Sequence, residues 1–214
     1  MYRKYVKRWL DLSLALILSV LLMPLFLLIA LWIKLDSPGP VLFVQTRLGK
    51  DEKPFKIFKF RTMRRNAPRE LATSLMPGSG KYITRAGRVL RMSSLDELPQ
   101  LLNIILGDMS FVGFRPCLWN EFELDEERRR TGAYAVKPGI TGIAQIRGRD
   151  ELPPRQKAEL DGAYARNVGF DYDLRIITKT IFAVFYKEGY REGGAEDAAG
   201  TGIAGKRKGA KRSV

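Results

Sequence analysis

Residues 12–33 read LSLALILSVLLMPLFLLIALWI, 22 consecutive positions without a charge. At about 1.5 Å per residue a helix of that length reaches about 33 Å, enough to cross the hydrocarbon core of a bilayer. Arg3, Lys4, Lys7 and Arg8 precede the run as the charged region of a secretory signal would. The run is too long for a signal core, however, and no small-residue cleavage pattern follows it, so it reads as a retained membrane anchor. Pro24 stands at its middle. Proline lacks the backbone donor and clashes with the carbonyl four residues back, here that of Val20, so the helix should kink or break at mid-depth. Basic residues flank both ends, with Lys34 closing the run, and they give no orientation for a crossing. The residues alone leave two readings open: a kinked span, or a re-entrant hairpin whose ends share one side of the membrane.

The chain carries a formal charge of +14 over 214 residues. The last 24 positions contribute a net +3, leaving +11 on the rest, so the charge is not confined to a basic tail. Such a surplus needs anionic company: lipid head groups, nucleic acid or phosphate-rich substrates. There is no histidine, which excludes histidine general bases, Ser-His-Asp triads, histidine metal ligands and phosphohistidine intermediates. The single cysteine, Cys117, excludes an internal disulfide and a cysteine-rich zinc site. Catalysis is left to carboxylates, to Lys and Arg, or to a metal held by oxygen ligands.

The remainder predicts an α+β fold: a proline-broken membrane helix followed by a small, mixed, helix-rich domain with a β-hairpin and interfacial amphipathic helices. Residues 1–36 form the anchor, 37–190 the catalytic domain and 191–214 a disordered Gly/Ala/Lys-rich basic tail. VLFVQTR (41–47) and FKIFKFR (55–61) flank the polar turn LGKDEKP and read as the hairpin. Residues 66–80 are loop-like. A helix is expected to start between Ser94 and Asp96 and to stop at Gly107, and a charged helix to follow over Glu121–Arg130. KPGITGIAQIRGR (137–149) reads as a loop-and-strand region. From Asp173 onward Leu174, Ile177, Ile181 and Val184/Phe185 share a helical face, with Lys179 and Lys187 on or near the other. That stripe suits core packing and a lipid interface equally.

Two adjacent carboxylates, Asp96 and Glu97, stand at the expected helix start in SSLDELPQ. Ser94-x-x-Glu97 matches a capping box, although Pro99 would then sit at the fifth helical position; with Asp96 as the cap, Pro99 falls in the first turn. Either way Asp96 lies where exposed N–H groups favour a carboxylate and a nearby phosphate. Phosphate-binding candidates are dense around the pair. Lys59 and Arg61 share one face of their strand, Arg85, Arg88 and Arg91 recur every third position, Arg115 follows Gly113, and Arg147 and Arg149 close the glycine-rich region. Together they suggest an anionic substrate handled at a bilayer surface.

Six blocks carry a more specific signal: KRWLDLSLAL (7–16), SPGPVLFVQTRLG (37–49), FKIFKFRTM (55–63), SSLDELPQLLNIILGDMSFVGFRP (93–116), KPGITGIAQIRGR (137–149) and LDGAYARN (160–167). In this order they resemble the bacterial sugar transferases, the monotopic phosphoglycosyl transferases, up to about residue 187. The resemblance implies transfer of a sugar-1-phosphate from a UDP-sugar to polyprenyl phosphate, the first membrane step of glycoconjugate synthesis. Asp96 matches the family's nucleophile and Glu97 its partner; Mg²⁺, held through Asp96, offsets the diphosphate charge. Lys59, Arg91 and Arg115 match positions near the phosphates. Pro24 matches the break of a re-entrant helix, which implies a monotopic protein of the bacterial inner membrane with its active site on the cytoplasmic face.

The implied partners are the UDP-sugar, polyprenyl phosphate, membrane lipids and downstream glycosyltransferases, with no nucleic acid. One anchor and no preceding multi-span region resemble the minimal members, which often take N-acetylated amino-sugar donors. The chain departs from the usual pattern at three places: Met23-Pro24 replaces Ser-Pro, Phe114-Arg115-Pro116 replaces Pro-Arg-Pro, and Ile143 replaces an aromatic residue. A rival of another class is a membrane-tethered basic module that binds nucleic acid or anionic lipid without chemistry, in a salt-sensitive way that ignores Asp96 and Glu97. A CDP-alcohol phosphotransferase would need several spans and an Asp-rich metal motif, and the sequence has neither.

Overall fold

The computed structural model describes residues 1–68, 78–148 and 152–186. The expected tail and Arg149 lie outside the described residues, as does most of the 66–80 loop. The apolar run forms two helices, α1 (Lys7–Leu21) and α2 (Met23–Asp36), bent by 62° across Leu22. Pro24 falls in the first turn of α2, where its missing N–H has no intrahelical partner to lose, so the chain turns just before it. Among the described residues no single helix is long and apolar enough to cross a membrane, whereas the bent pair together has the length and composition.

The hairpin forms as expected, shifted by one residue: β1 (Leu42–Leu48) pairs antiparallel with β2 (Pro54–Phe60). Its turn holds Asp51 and Glu52 at positive φ. α3 (Arg85–Met92) follows; its sequence had shown only a three-residue arginine spacing. Thr84 caps it by accepting from the Gly87 N–H at 2.9 Å, and the Asp36 carboxylate at the end of α2 accepts from the Ala86 N–H at 3.1 Å. A carboxylate there also suits the positive end of the helix dipole.

A short 3₁₀ turn, Leu95–Glu97, leads through Pro99 into α4 (Gln100–Leu106), which ends at Gly107 in the left-handed region, φ 94°. β3 (Ser110–Val112) then pairs in parallel with β4 (Gly139–Thr141). Between them lies α5 (Phe122–Thr131), and α6 (Ile143–Arg147), α7 (Pro154–Arg166) and α8 (Phe170–Tyr186) complete the fold. Among the described residues the result is helix-rich α+β with two two-stranded sheets.

Three of the apolar clusters among the described residues position the site. Ala15 of α1 packs with Ile57 of β2 and Leu101 and Ile104 of α4. Ile29 and Ile33 of α2 pack with Phe60 and Leu90, and Leu95 and Leu98 close that cluster from either side of Asp96-Glu97. Val112, Phe114, Tyr134, Tyr164 and Ile176 form the third. One flank of the anchor is therefore core, while Ile17, Val20, Leu21, Leu27, Leu28 and Leu35 are more than three-fifths exposed.

The N-terminal basic residues bind the catalytic domain. Arg3 donates to the carbonyls of Ala135 and Ala165, and Arg8 donates to those of Ile104 and Ile105, capping α4. Lys7 Nζ and Tyr2 OH both reach Asp173 Oδ2 of α8, at 2.6 and 2.7 Å, while Tyr164 OH donates to Asp173 Oδ1 at 2.6 Å. This buried network sets the inner side of α8 and divides the expected stripe. Its inner side is Asp173, Ile176 and Ile177, whereas Leu174 and Ile181 are half exposed. The side chains of Val184 and Phe185 lie outside the described residues.

Candidate active site

The site is built where the hairpin, the 3₁₀ turn and the segment after β3 meet. The turn differs from both expected caps. Ser94 adopts φ 56°, its side chain makes no cap bond, and its carbonyl accepts from the Glu97 N–H at 3.2 Å. Asp96 sits inside the 3₁₀ turn, not at the cap of α4. The physical reason is Pro99: with no N–H to give, it interrupts the α-helical ladder, and Leu98, Leu101 and Leu102 make three-residue bonds to Leu95, Leu98 and Pro99 instead. Left-handed backbone at a serine is strained, and the apolar grip of Leu95 and Leu98 holds it. Asp96 is half-buried and Glu97 buried.

Glu97 is the electrostatic centre. Its Oε1 accepts from Lys59 Nζ at 2.8 Å and from Arg115 Nη1 at 3.1 Å. Lys59 comes from β2 and Arg115 from the segment after β3, so one buried carboxylate oxygen, on the residue next in the chain to Asp96, organises two cations. Arg91, in the last turn of α3, donates from Nε to Thr62 Oγ1 at 2.9 Å, which fixes the side chain just past β2. The close approach depends on Gly87, where a Cβ would lie 2.0 Å from the Thr62 carbonyl oxygen.

Not every candidate cation joins the site. Arg61, expected to share a phosphate-binding face with Lys59, is buried and donates to the carbonyls of Pro38, Ile33 and Ser37 and to the Ser37 hydroxyl. It ties β2 to the frayed end of α2, where unpaired carbonyls collect. Arg85, Arg88 and Arg147 are exposed.

The sequence reading missed Arg47 and Gln45. The hairpin register puts Phe43 opposite Lys59, Gln45 opposite Ile57 and Arg47 opposite Phe55, so Gln45, Arg47 and Lys59 leave the ribbon on one face. Arg47 donates to Gln45 Oε1 at 2.7 Å from Nη2 and to the Pro116 carbonyl at 3.3 Å from Nη1. Burial, and then the neighbouring Arg115 guanidinium, bring Arg47 down to about 10. The period-two alternation Gln45-x-Arg47, on the same face of the hairpin as Lys59, was the signal that could have found them.

Chemically, the arrangement offers a half-buried carboxylate at a turn, next in the chain to a buried acid that holds cations from two separate elements. Such a cradle suits a diphosphate.

The sequence pattern of the family described as bacterial sugar transferase matches residues 2–187. The sugar transferase EpsL of Bacillus subtilis is 40% identical over 187 residues, covering 87% of this chain and 91% of that one. The UDP-glucose:undecaprenyl-phosphate glucose-1-phosphate transferase of Caulobacter vibrioides is 42% identical over 183 residues, 82% of this chain and 68% of its own. The UDP-N-acetylgalactosamine-undecaprenyl-phosphate N-acetylgalactosaminephosphotransferase of Aeromonas hydrophila is 38% identical over 194 residues, 87% of this chain and 45% of its own. With the family pattern matched over residues 2–187 and relatives of this identity and coverage, the chain belongs to the bacterial sugar transferase family.

Proposed function

We propose that the protein transfers a sugar-1-phosphate from a UDP-sugar to undecaprenyl phosphate by way of a phosphosugar–aspartate intermediate. The observation that carries the reading is the meeting of Lys59 and Arg115 on Glu97, next in the chain to Asp96. In the first step an Asp96 carboxylate oxygen attacks the phosphorus that bears the sugar. A P–O bond forms, the bond to the bridging oxygen breaks, and UMP leaves with that electron pair. In the second step an oxygen of undecaprenyl phosphate attacks the same phosphorus and Asp96 leaves as carboxylate. Lys59, Arg91 and Arg115 hold the phosphoryl oxygens and offset the charge that builds on them. Glu97 keeps Lys59 and Arg115 in place and balances their charge before substrate arrives.

Mg²⁺ fits this site in a limited way. Among the described residues no group of three or more Asp, Glu, Cys or His side chains gathers to hold a metal alone. Mg²⁺ binds through one or two carboxylates together with substrate phosphates and water, so a single acid is enough. Asp96 would hold it, and when bound it supplies charge neutralisation at the diphosphate.

The anchor is re-entrant in this reading. A span would carry Arg3, Lys7 and Arg8 to the far side of the membrane from the catalytic domain. All three instead bond to that domain, at Ala135, Ala165, Asp173, Ile104 and Ile105. The exposed apolar residues of the bent pair enter the bilayer, and the exposed stripe Phe170, Leu174, Ile181 and Phe182 of α8 lies in the interface. The active site then faces the cytoplasmic side of the inner membrane, where downstream glycosyltransferases take the product.

Relatives are named for UDP-glucose and for UDP-N-acetylgalactosamine, and the donor proposed here carries an N-acetylated amino sugar. UMP release measured over a panel of UDP-sugars with undecaprenyl phosphate and Mg²⁺ tests the reading. Turnover with one donor class supports it, and no release with any donor rejects it.

A further inference from the structure

We infer that Arg128, which no step of the proposed reaction touches, is a positioning residue that sets where Arg115 stands. The inference rests on the reading of Arg115 as a phosphate-binding group. Arg128 lies on α5 with a side chain only 2% exposed, and its Nε and Nη2 donate to Asp161 Oδ2 of α7 at 3.0 and 2.7 Å. Its guanidinium covers the Phe114 ring, 4.9 Å from the centroid. The Tyr134 ring meets the same phenylalanine edge-on, with centroids 5.2 Å apart. Phe114 is the residue immediately before Arg115.

The other side of Arg115 is held as firmly. The Phe114 carbonyl accepts from the Gly139 N–H at 2.9 Å, and the Leu48 N–H donates to the Cys117 carbonyl at 3.3 Å. Arg47 holds the Pro116 carbonyl, and the Cys117 thiol and Tyr134 hydroxyl are 3.3 Å apart. Tyr134 in turn donates to Asp125 Oδ1 at 2.6 Å. Residues 114, 116 and 117 are therefore clamped from β1, β4 and α5, and only the Arg115 side chain, 31% exposed, is left to reach Glu97.

Stability alone does not account for Arg128. A buried ion pair gains little over well-packed apolar side chains, because desolvation of both charges opposes their attraction. This pair is also imperfect, since among the described residues Arg128 Nη1 and Asp161 Oδ1 have no hydrogen-bond partner. What a guanidinium gives here that a hydrophobe does not is a flat cation, fixed in plane by Asp161 and laid on an aromatic face. The consequence is a fixed Phe114 and a fixed exit direction for Arg115. Displacement of about 1 Å at such a group is enough to cost roughly a hundredfold in rate.

The test is a double-mutant cycle on the full chain, with UDP as the probe and its Kd as the readout, alongside the melting temperature. The paired change Arg128→Met with Asp161→Leu removes both charges and leaves neither buried alone; Arg128→Lys, which keeps charge but not the plane, is the second variant should the pair fail to fold. Either variant should weaken UDP binding about tenfold in the otherwise unaltered protein, and less than about twofold when Arg115 is already alanine. Equal losses in both backgrounds, or no loss in the first, would overturn the inference and leave the reaction standing. Failure of UDP to bind the unaltered protein would overturn both.

Discussion

Lys59 and Glu97 are 38 positions apart in the chain and 2.8 Å apart at Nζ and Oε1. Arg115 reaches that same oxygen at 3.1 Å, so a single buried acid holds two cations that would otherwise repel each other. Glu97→Gln keeps the shape and removes the charge. UMP release should fall about a hundredfold, on the scale of losing a preorganised phosphate grip. The rate measured on a folded variant checks this, and a change of less than about threefold would separate Glu97 from the chemistry.

Arg61 should behave in the opposite way. It serves the end of α2, so Arg61→Met takes the guanidinium from the Ser37 and Pro38 carbonyls and leaves the Ile33 carbonyl with the Ser37 N–H as its remaining donor. We expect a stability loss of about 2 kcal/mol, roughly 4–8 °C in melting temperature for a chain of this size. UMP release per folded molecule at low temperature should stay within about threefold. Thermal unfolding in detergent, paired with the rate, distinguishes this anchoring role from phosphate binding.

These two residues show what was legible in the sequence. Lys59 and Arg61 alternate on one strand and look equivalent, because a period-two pattern assigns a face but not a neighbour. The break at Pro24 and the hairpin were legible, since proline chemistry and turn composition act locally. The parallel pairing of β3 with β4 was not, because each strand is only three residues long and the partners are separated by α5. The charged helix was legible as a helix, yet Arg128 and Asp125 inside it are buried, and nothing local marks which charges of such a run turn inward. The Asp-Glu pair was visible, and its cap geometry was misread because Pro99 draws the turn into 3₁₀ form.

Lys137 gives a pH test. Burial, then the Arg8 guanidinium, hold its ammonium below the usual lysine range. The unfolded chain therefore binds the proton more tightly than the folded one. Stability should rise with pH between the lowered folded value and the ordinary one near 10.5, and the charge should cost stability below that window. Lys137→Met should melt slightly higher than the unaltered protein at pH 7, with the difference shrinking as pH climbs through that window. A difference that grows with pH would reverse the sign of this account.

The re-entrant anchor predicts where both ends of the bent pair sit. Arg3→Cys and Lys53→Cys, each made in a Cys117→Ser background, should react with a membrane-impermeant thiol reagent from the same side of sealed vesicles. Cys117 is buried beside the Tyr134 hydroxyl, so serine keeps a hydroxyl-sized polar partner there. Labelling from opposite sides would make the pair a kinked span.

The central claim is that Asp96 carries the sugar phosphate. The most direct measurement is the intact mass of the protein after incubation with its UDP-sugar and Mg²⁺, with undecaprenyl phosphate left out. The account predicts a protein heavier by one phosphosugar, a matching quantity of UMP, and neither in Asp96→Asn. An unmodified protein that releases UMP only when undecaprenyl phosphate is present, or turnover retained in Asp96→Asn, would contradict it.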